Sequence, residues 1–543
     1  MNKYPNPVCR SFRAGRRWIC PLLALAVLPG VVSSHSTPNA PVRPVFGVRA
    51  LRDEAGLPLL IPHPKKVSGL SGAPFTLNAH TRILVPDGAT EEQKRGPVLL
   101  QQEIAARFGV RLPILSASQA GKAGTSIENV IVFDIAGVAK PNPLAMRMQK
   151  SGQTPPTPAK PEGYAVSVSP RAVLVCGRDA RGALWGAQTV IQLLDGTPGS
   201  AQILAASVAD WPSLPLRGVH LFHGQNALPF HQKLIDRVLS RYKMNALFLE
   251  VERTRWDADP QIAPEWAGNK AQLKQEIAFA RARGMTPYPL FQSFGHMEWM
   301  LDRGDRAKYA EDAQTPYALN MTDPKAVAYM DKLVGETDAL FNAPGFHVGL
   351  DEVALRGRFP YRSKSTNLTY SSLYLKGAKH WRDYFKARNK NVFVWADTML
   401  CASEVAPSFG TAPNVSEAAK VRAGMPKDVT LVDWQYGEHD RFPSLAQLKA
   451  AGFKDLIAAT WYRTRNIQNF TRAATQVGAR GAIQTTWAGY ESKEDVLNTW
   501  DSRRQFTAMI LAAEYFWNGG TGPAPNKLPY DPVVVFTKQW DAR

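Results

Sequence analysis

Phe346-His347-Val348-Gly349-Leu350-Asp351-Glu352-Val353 is an apolar run that stops abruptly at two adjacent carboxylic acids. A short run of this kind, bounded by a turn signal, reads as a strand buried on both faces, with the acids where it emerges. Seven more runs share its texture: Gly218-Val-His-Leu-Phe, Ala246-Leu-Phe-Leu-Glu, Pro287-Tyr-Pro-Leu-Phe, Val392-Phe-Val-Trp, Thr430-Leu-Val-Asp-Trp, Leu456-Ile-Ala-Ala-Thr-Trp and Ala482-Ile-Gln-Thr-Thr-Trp. The segments between them are long enough for helices. Strands alternating with helical patterns predict parallel βα units, and eight of them after Asp210-Trp211-Pro212 predict a (β/α)8 TIM barrel over 210–543. Pro287 and Pro289 count against a central strand in the third run, because proline lacks the donor a ladder needs.

Barrels of this kind carry their chemistry at the C-terminal ends of the strands. In chain order those ends hold Glu250 and Glu252, Gln292 and His296, Asp351 and Glu352, Trp395 with Asp397, Trp434 with Tyr436, Trp461 with Tyr462, and Trp487. Side chains alternate along a strand, so Asp351 and Glu352 are expected to diverge, one toward a reacting centre and one elsewhere. A strand running out into a polar loop gives the same pair, so the surroundings decide. Four successive strands end at tryptophan. Indoles stack on the apolar faces of a pyranose while carboxylates and amides hold its hydroxyls, and core packing alone accounts poorly for four equivalent positions.

The chain has 543 residues, 45% hydrophobic and 20% charged, enough for a barrel and a second domain. The formal charge of +19 falls to +14 without the five basic residues of 1–34. That balance suits acidic surfaces or polymers, but no Lys/Arg-dense run points to nucleic acid. Residues 1–34 read as a signal peptide, with a basic stretch Arg10–Arg17, an apolar stretch Trp18–Val32 and small residues before His35. Pro21 and Pro29 interrupt the apolar stretch, which argues against a stable membrane anchor. Export to the periplasm or the outside of the cell is therefore expected. Residues 35–57 read as a linker. Cys176 and Cys401 remain after the signal, far apart, and neither a disulfide framework nor a CxxC or His/Cys zinc cluster is indicated.

Between 58 and 209 short strands alternate with helical patterns, predicting a small α+β accessory domain. Gly96–Phe108 and Ala180–Leu194 read as helices, Gly163–Ser169 with Ala172–Gly177 as a hairpin, and the Pro- and Lys-rich stretch 139–161 as a mobile loop.

Several segments together resemble glycoside hydrolase family 20, the β-N-acetylhexosaminidases, and within it the hexosaminidase D-like branch. Leu216-Arg217-Gly218-Val219-His220 is similar to the family's opening Arg-Gly segment. Gln292-Ser-Phe-Gly-His296-Met-Glu298 is similar to the branch's Gln-x-Phe-Gly-His-x-Glu pattern, His347-Val-Gly-Leu-Asp351-Glu352 to the His-x-Gly-x-Asp-Glu signature, and Trp395-Ala-Asp397-Thr-Met399 to a Trp-x-Asp-x-Met strand end. Gly163–Leu194 resembles the domain that precedes such barrels. The likeness spans roughly 58–520.

The resemblance implies a retaining hydrolase in which the substrate's 2-acetamido oxygen is the nucleophile, an exception among retaining glycosidases. No cofactor or metal is then expected. It implies Glu352 as general acid and base, Asp351 as the residue holding the acetamide N–H, and Tyr462 as the donor to the acetamide oxygen. Substrate binding falls to Arg217 on sugar hydroxyls, Trp395, Trp434 and Trp487 around the acetamide, Asp397, and His296, which with Glu252 would support Glu352. His347 is expected to brace the loop. Leu350 replaces a small residue common in the family, and the second strand lacks an Asp-Asp pair found in lysosomal-type members. Partners are then β-N-acetylhexosaminide glycans. The alternatives are a related hydrolase, disaccharide-releasing or O-GlcNAc-removing, and a barrel that binds glycans without cleaving them. O-GlcNAc-removing families use two adjacent aspartates, which Asp351-Glu352 does not match.

Overall fold

Eight parallel strands close into a barrel in the computed structural model, which describes residues 49–122, 128–136, 140, 142–150, 154–361, 367–489 and 494–542. The strands are β1 (Leu216–Phe222), β2 (Ala246–Glu250), β3 (Thr286–Leu290), β4 (Gly345–His347), β5 (Asn391–Trp395), β6 (Thr430–Trp434), β7 (Leu456–Thr460) and β8 (Gly481–Gln484). β1 pairs with both β2 and β8, so the sheet has no edge. Inside the barrel Phe248, Tyr288 and Phe393 pack in mutual contact, with ring centroids 4.9–5.3 Å apart. The expected signal peptide and most of the expected linker lie outside the described residues. Among the described residues no helix is long and apolar enough to cross a membrane, and Cys176 and Cys401 are free and buried.

β3 is a genuine strand despite its two prolines, and the direction of its donors explains why. Thr286 N donates to Asn245 O on the β2 side, whereas Phe291 N donates to His347 O on the β4 side. Pro287 and Pro289 share the parity of Phe291, so their missing donors face β4. That neighbour is only three residues long and pairs with β3 at Leu290↔His347 alone. The prolines fall where there is no ladder to interrupt.

The preceding domain is a seven-stranded mixed sheet whose strands run, in spatial order, 66–68, 206–210, 164–168, 172–177, 130–135, 82–85 and 114–116. The helices Glu91–Phe108 and Ala180–Gln192 pack on it. The first begins five residues before the expected start because Thr90 and Gln93 form a reciprocal capping box. The stretch read as a mobile loop instead contains a helix, Pro143–Lys150, which buries Ala145 against the sheet.

Arg217 corrects the sequence reading. It lies near the start of β1, at the end of the barrel opposite the acids, and is 1% exposed. Its guanidinium bonds Glu162 of the preceding domain at 2.5 Å and the carbonyls of Lys243 and Leu214, and it lies over Trp517 and Trp185. Glu162 also accepts from Trp185 and Asn245. The arginine ties the preceding domain to the start of β1. Burial works against the Glu162 carboxylate, yet Arg217 and Arg181 outweigh it and hold its pKa below the ordinary glutamate range. The stability from this pair is therefore present above that range and lost as the pH falls through it. Arg217→Met is expected to lower Tm while KM in the folded enzyme stays unchanged, and Glu162→Gln to cost about 3–5 kcal/mol by stranding a buried cation. Thermal unfolding and steady-state kinetics check both.

Candidate active site

The strand β4 stops at His347, four residues before Asp351, and the chain then enters a left-handed stretch. Gly349, Leu350 and Glu352 have φ of 72°, 74° and 46°. Val348 N still donates to Phe393 O and Trp395 N to Gly349 O, so the segment stays tied to β5 as it unwinds. His347, fully buried, accepts from Gly349 N through Nδ1. Leu350 turns into the core and is fully buried.

This backbone overturns the expected divergence of the two acids. Asp351 Oδ2 and Glu352 Oε2 both lie 3.4 Å from His296 Nε2. Alternation holds for a strand, and these residues are no longer in one. His296 is itself left-handed, with φ of 56°, and comes from the loop after β3. A Cβ on Gly295 would sit 2.6 Å from Asp351 O, and one on Gly349 would sit 2.2 Å from Gln292 Oε1. The two loops can therefore interlock only with glycine at both points.

The charges follow from this geometry. Burial disfavours a charged His296, but Asp351 and Glu352 outweigh it and hold the imidazole protonated well above the ordinary histidine range. Nδ1 lies 3.1 Å from the Tyr317 hydroxyl, so a doubly protonated ring donates on both sides. Nε2 and one oxygen of each acid lie within 4.8 Å of one another, the one such His/Asp/Glu group among the described residues with the spacing for a cation. Glu252 is not the partner of His296. It is buried near His220, whose own ring bonds Glu250 at 2.8 Å.

Asp397 supports the acid turn from beneath. Its carboxylate accepts Glu352 N at 3.0 Å, the Thr411 hydroxyl at 2.7 Å and Trp434 Nε1 at 3.1 Å. Burial first, then Asp351, pushes its pKa up to about 7. Trp434 is half-buried beside Phe409 and Tyr436. Trp487 donates Nε1–H to the Tyr436 hydroxyl at 3.0 Å and stands next to His220 and Phe222. Trp395 is 1% exposed and packs on His347, so it lies under the site instead of presenting an open face.

Tyr462 is a second correction. Its ring contacts Trp461 at 4.3 Å and the Arg504 guanidinium at 4.8 Å, and it lines a crevice of about 550 Å³ with Arg504, Thr507 and Tyr530. The phenols under the influence of the acid pair are Tyr317 and Tyr436, both shifted upward by burial with Asp351 and Glu352 adding to it. Sequence reasoning named Tyr436 at a strand end but gave it no role. It missed Tyr317 and Thr411, which sit in loops without a motif.

Asp397 gives a pH test. A carboxyl whose pKa is raised by folding binds its proton more tightly in the native state, so its contribution falls as the pH rises from the ordinary aspartate range to about 7. Asp397→Asn is expected to remove that decline, so that the variant gains on the unsubstituted protein in denaturant midpoint between about pH 4 and pH 7, the window of the shift. Parallel pH dependences would contradict the assignment.

Residues 57–211 match the family model described as Glycosyl hydrolase family 20, domain 2. Among curated proteins, the chain is 24% identical over 259 residues to a lacto-N-biosidase of Bifidobacterium bifidum, covering 45% of this chain and 23% of that protein. It is 24% identical to hexosaminidase D of Homo sapiens, covering 40% of this chain and 45% of that protein. The chain thus spans less than half the length of these relatives. The structure of a GH20 β-N-acetylhexosaminidase from Streptomyces coelicolor superposes with a TM-score of 0.63 at 19% identity, covering 89% of this chain and 95% of that one. Residues 57–211 therefore carry a match to a family 20 domain, and the barrel that follows shares its fold with solved GH20 structures.

Proposed function

We propose that the chain is an exported, exo-acting, retaining β-N-acetylhexosaminidase that uses the acetamide of its substrate as nucleophile. The observation that carries this reading is the unequal state of the two acids. Asp351 Oδ1 is buried and finds no hydrogen-bond donor among the described residues. A buried acceptor left this way is costly, and a substrate amide N–H placed against it removes the cost. Glu352 is more open, with 16% of its side chain exposed against 9% for Asp351.

The roles follow from these positions. Glu352 delivers a proton to the leaving oxygen and later takes one from water. Asp351 accepts the acetamide N–H and balances the positive charge that grows as the carbonyl oxygen attacks the anomeric carbon. Tyr436, oriented by Trp487, presents its hydroxyl to that carbonyl, the role the resemblance gave to Tyr462. Protonated His296 holds both carboxylates at fixed separation, and Asp397 fixes the backbone that carries Glu352. Aromatic faces at Trp434 and Trp487 suit the sugar ring. The relatives' names, hexosaminidase and lacto-N-biosidase, support an N-acetylhexosamine-containing substrate.

Release of nitrophenol from β-GlcNAc and β-GalNAc aryl glycosides tests the reading. Glu352→Gln is expected to lower turnover on natural leaving groups by about 10²–10⁴-fold, the usual worth of a positioned proton donor. Asp351→Asn is expected to reduce kcat far more than it changes KM. Product formed with inverted anomeric configuration, read by proton NMR, would sink the mechanism. Binding of oligosaccharides without turnover would favour a glycan-binding barrel.

A further inference from the structure

We propose that the catalytic face carries an outer binding surface for an acidic sugar, built from Trp500, Arg504 and Tyr462. Trp500 is the most exposed large apolar side chain among the described residues, 70% open. It begins the helix Trp500–Asn518, and Arg504 follows one turn later on the same side. The guanidinium lies 4.2 Å from the Trp500 ring and 4.8 Å from the Tyr462 ring, within cation–π reach of both. Among the described residues its side chain makes no ion pair and donates no hydrogen bond. Glu54 and Asp531 line the neighbouring crevice but do not pair with it, and Asp531 instead caps the helix Pro532–Asp541.

This surface is continuous with the acid site. Gln505 Oε1 accepts Trp487 N at 2.5 Å and Trp461 Nε1 at 3.3 Å, pinning the first turns of the helix to the ends of β7 and β8. Ring contacts then lead outward from Tyr436 to Trp461 at 5.3 Å, from Trp461 to Tyr462 at 4.3 Å, and on to Arg504 and Trp500. A guanidinium stacked on rings keeps its N–H edges free, and those edges match a carboxylate or sulfate in a bidentate pair. An exposed indole beside it offers a face to a pyranose. Together they select a sugar bearing an anionic group on the leaving-group side of the cleaved bond, and the chain's positive charge favours such polymers. The link to catalysis rests on the hexosaminidase reading, but the binding does not.

The test separates the two. Glu352→Gln protein is titrated by calorimetry with an alternating N-acetylhexosamine–glucuronate tetrasaccharide, a sulfated N-acetylhexosamine tetrasaccharide and neutral chitotetraose. At least one acidic ligand is expected to bind about tenfold or more tighter than the neutral one, a single bidentate pair's worth. The carboxylate and sulfate arms identify which anion is taken. Arg504→Ala in the same background is expected to abolish the preference and Trp500→Ala to weaken the acidic ligand, with Tm unchanged in both. Equal affinity for acidic and neutral ligands, or a preference that survives Arg504→Ala, overturns the proposal. The Arg504→Ala enzyme with Glu352 intact is expected to hydrolyse the small aryl glycoside at the unsubstituted rate. If the unsubstituted enzyme fails on that substrate, the hexosaminidase reading falls while the titration still decides the outer surface.

Discussion

Two carboxylates face one imidazolium across 3.4 Å, and the rest of the site is arranged to keep them there. Adjacent acids on a regular strand point apart. To bring both to one side the chain leaves β4 at His347 and passes through left-handed residues, two of them, Leu350 and Glu352, with side chains. His296 is left-handed as well. Conformations of this kind cost about 1–3 kcal/mol each and persist only where the surroundings over-determine them. Here the surroundings are identifiable: Asp397 on Glu352 N, His347 on Gly349 N, Ser293 on Val348 O, and the burial of Leu350.

The barrel supplies the rigidity this needs. β3, β4 and β5 bring in His296, the acid turn and Asp397 in succession, so these three strand ends are neighbours in the sheet. β6, β7 and β8 carry the aromatic side of the mouth. Protonation divides along the same line. His296 is held cationic by its carboxylate neighbours, while Asp397, buried and close to Asp351, is pushed toward its neutral form. His296 thus offsets one of the two carboxylate charges, and the rise at Asp397 limits what a third carboxylate adds.

The architecture was legible because it rests on period and repetition. Eight apolar runs with helical spacers have few other solutions, and the acid pair, His296 and Asp397 lie at strand ends where barrel geometry puts chemistry. Three things were not legible, each for a physical reason. Arg217 sits in a strand whose ends are not distinguished by pattern, and only the position of Glu162 shows that it faces the other domain. The convergence of Asp351 and Glu352 depends on φ values that a bulky residue such as Leu350 does not advertise. Tyr317 and Thr411 reach the site from loops, where nothing in the spacing marks them. Tyr462 was read correctly as a strand-end residue, and its ring packs beside the Arg504 guanidinium.

The central claim is that a cationic His296 holds the two acids together. Nitrogen-15 NMR of the histidine side chains, with His296 assigned by His296→Gln, tests it directly. The account predicts both ring nitrogens of His296 protonated at neutral pH and remaining so well above the ordinary histidine range. A neutral ring at pH 7, titrating as a free histidine does, would contradict it.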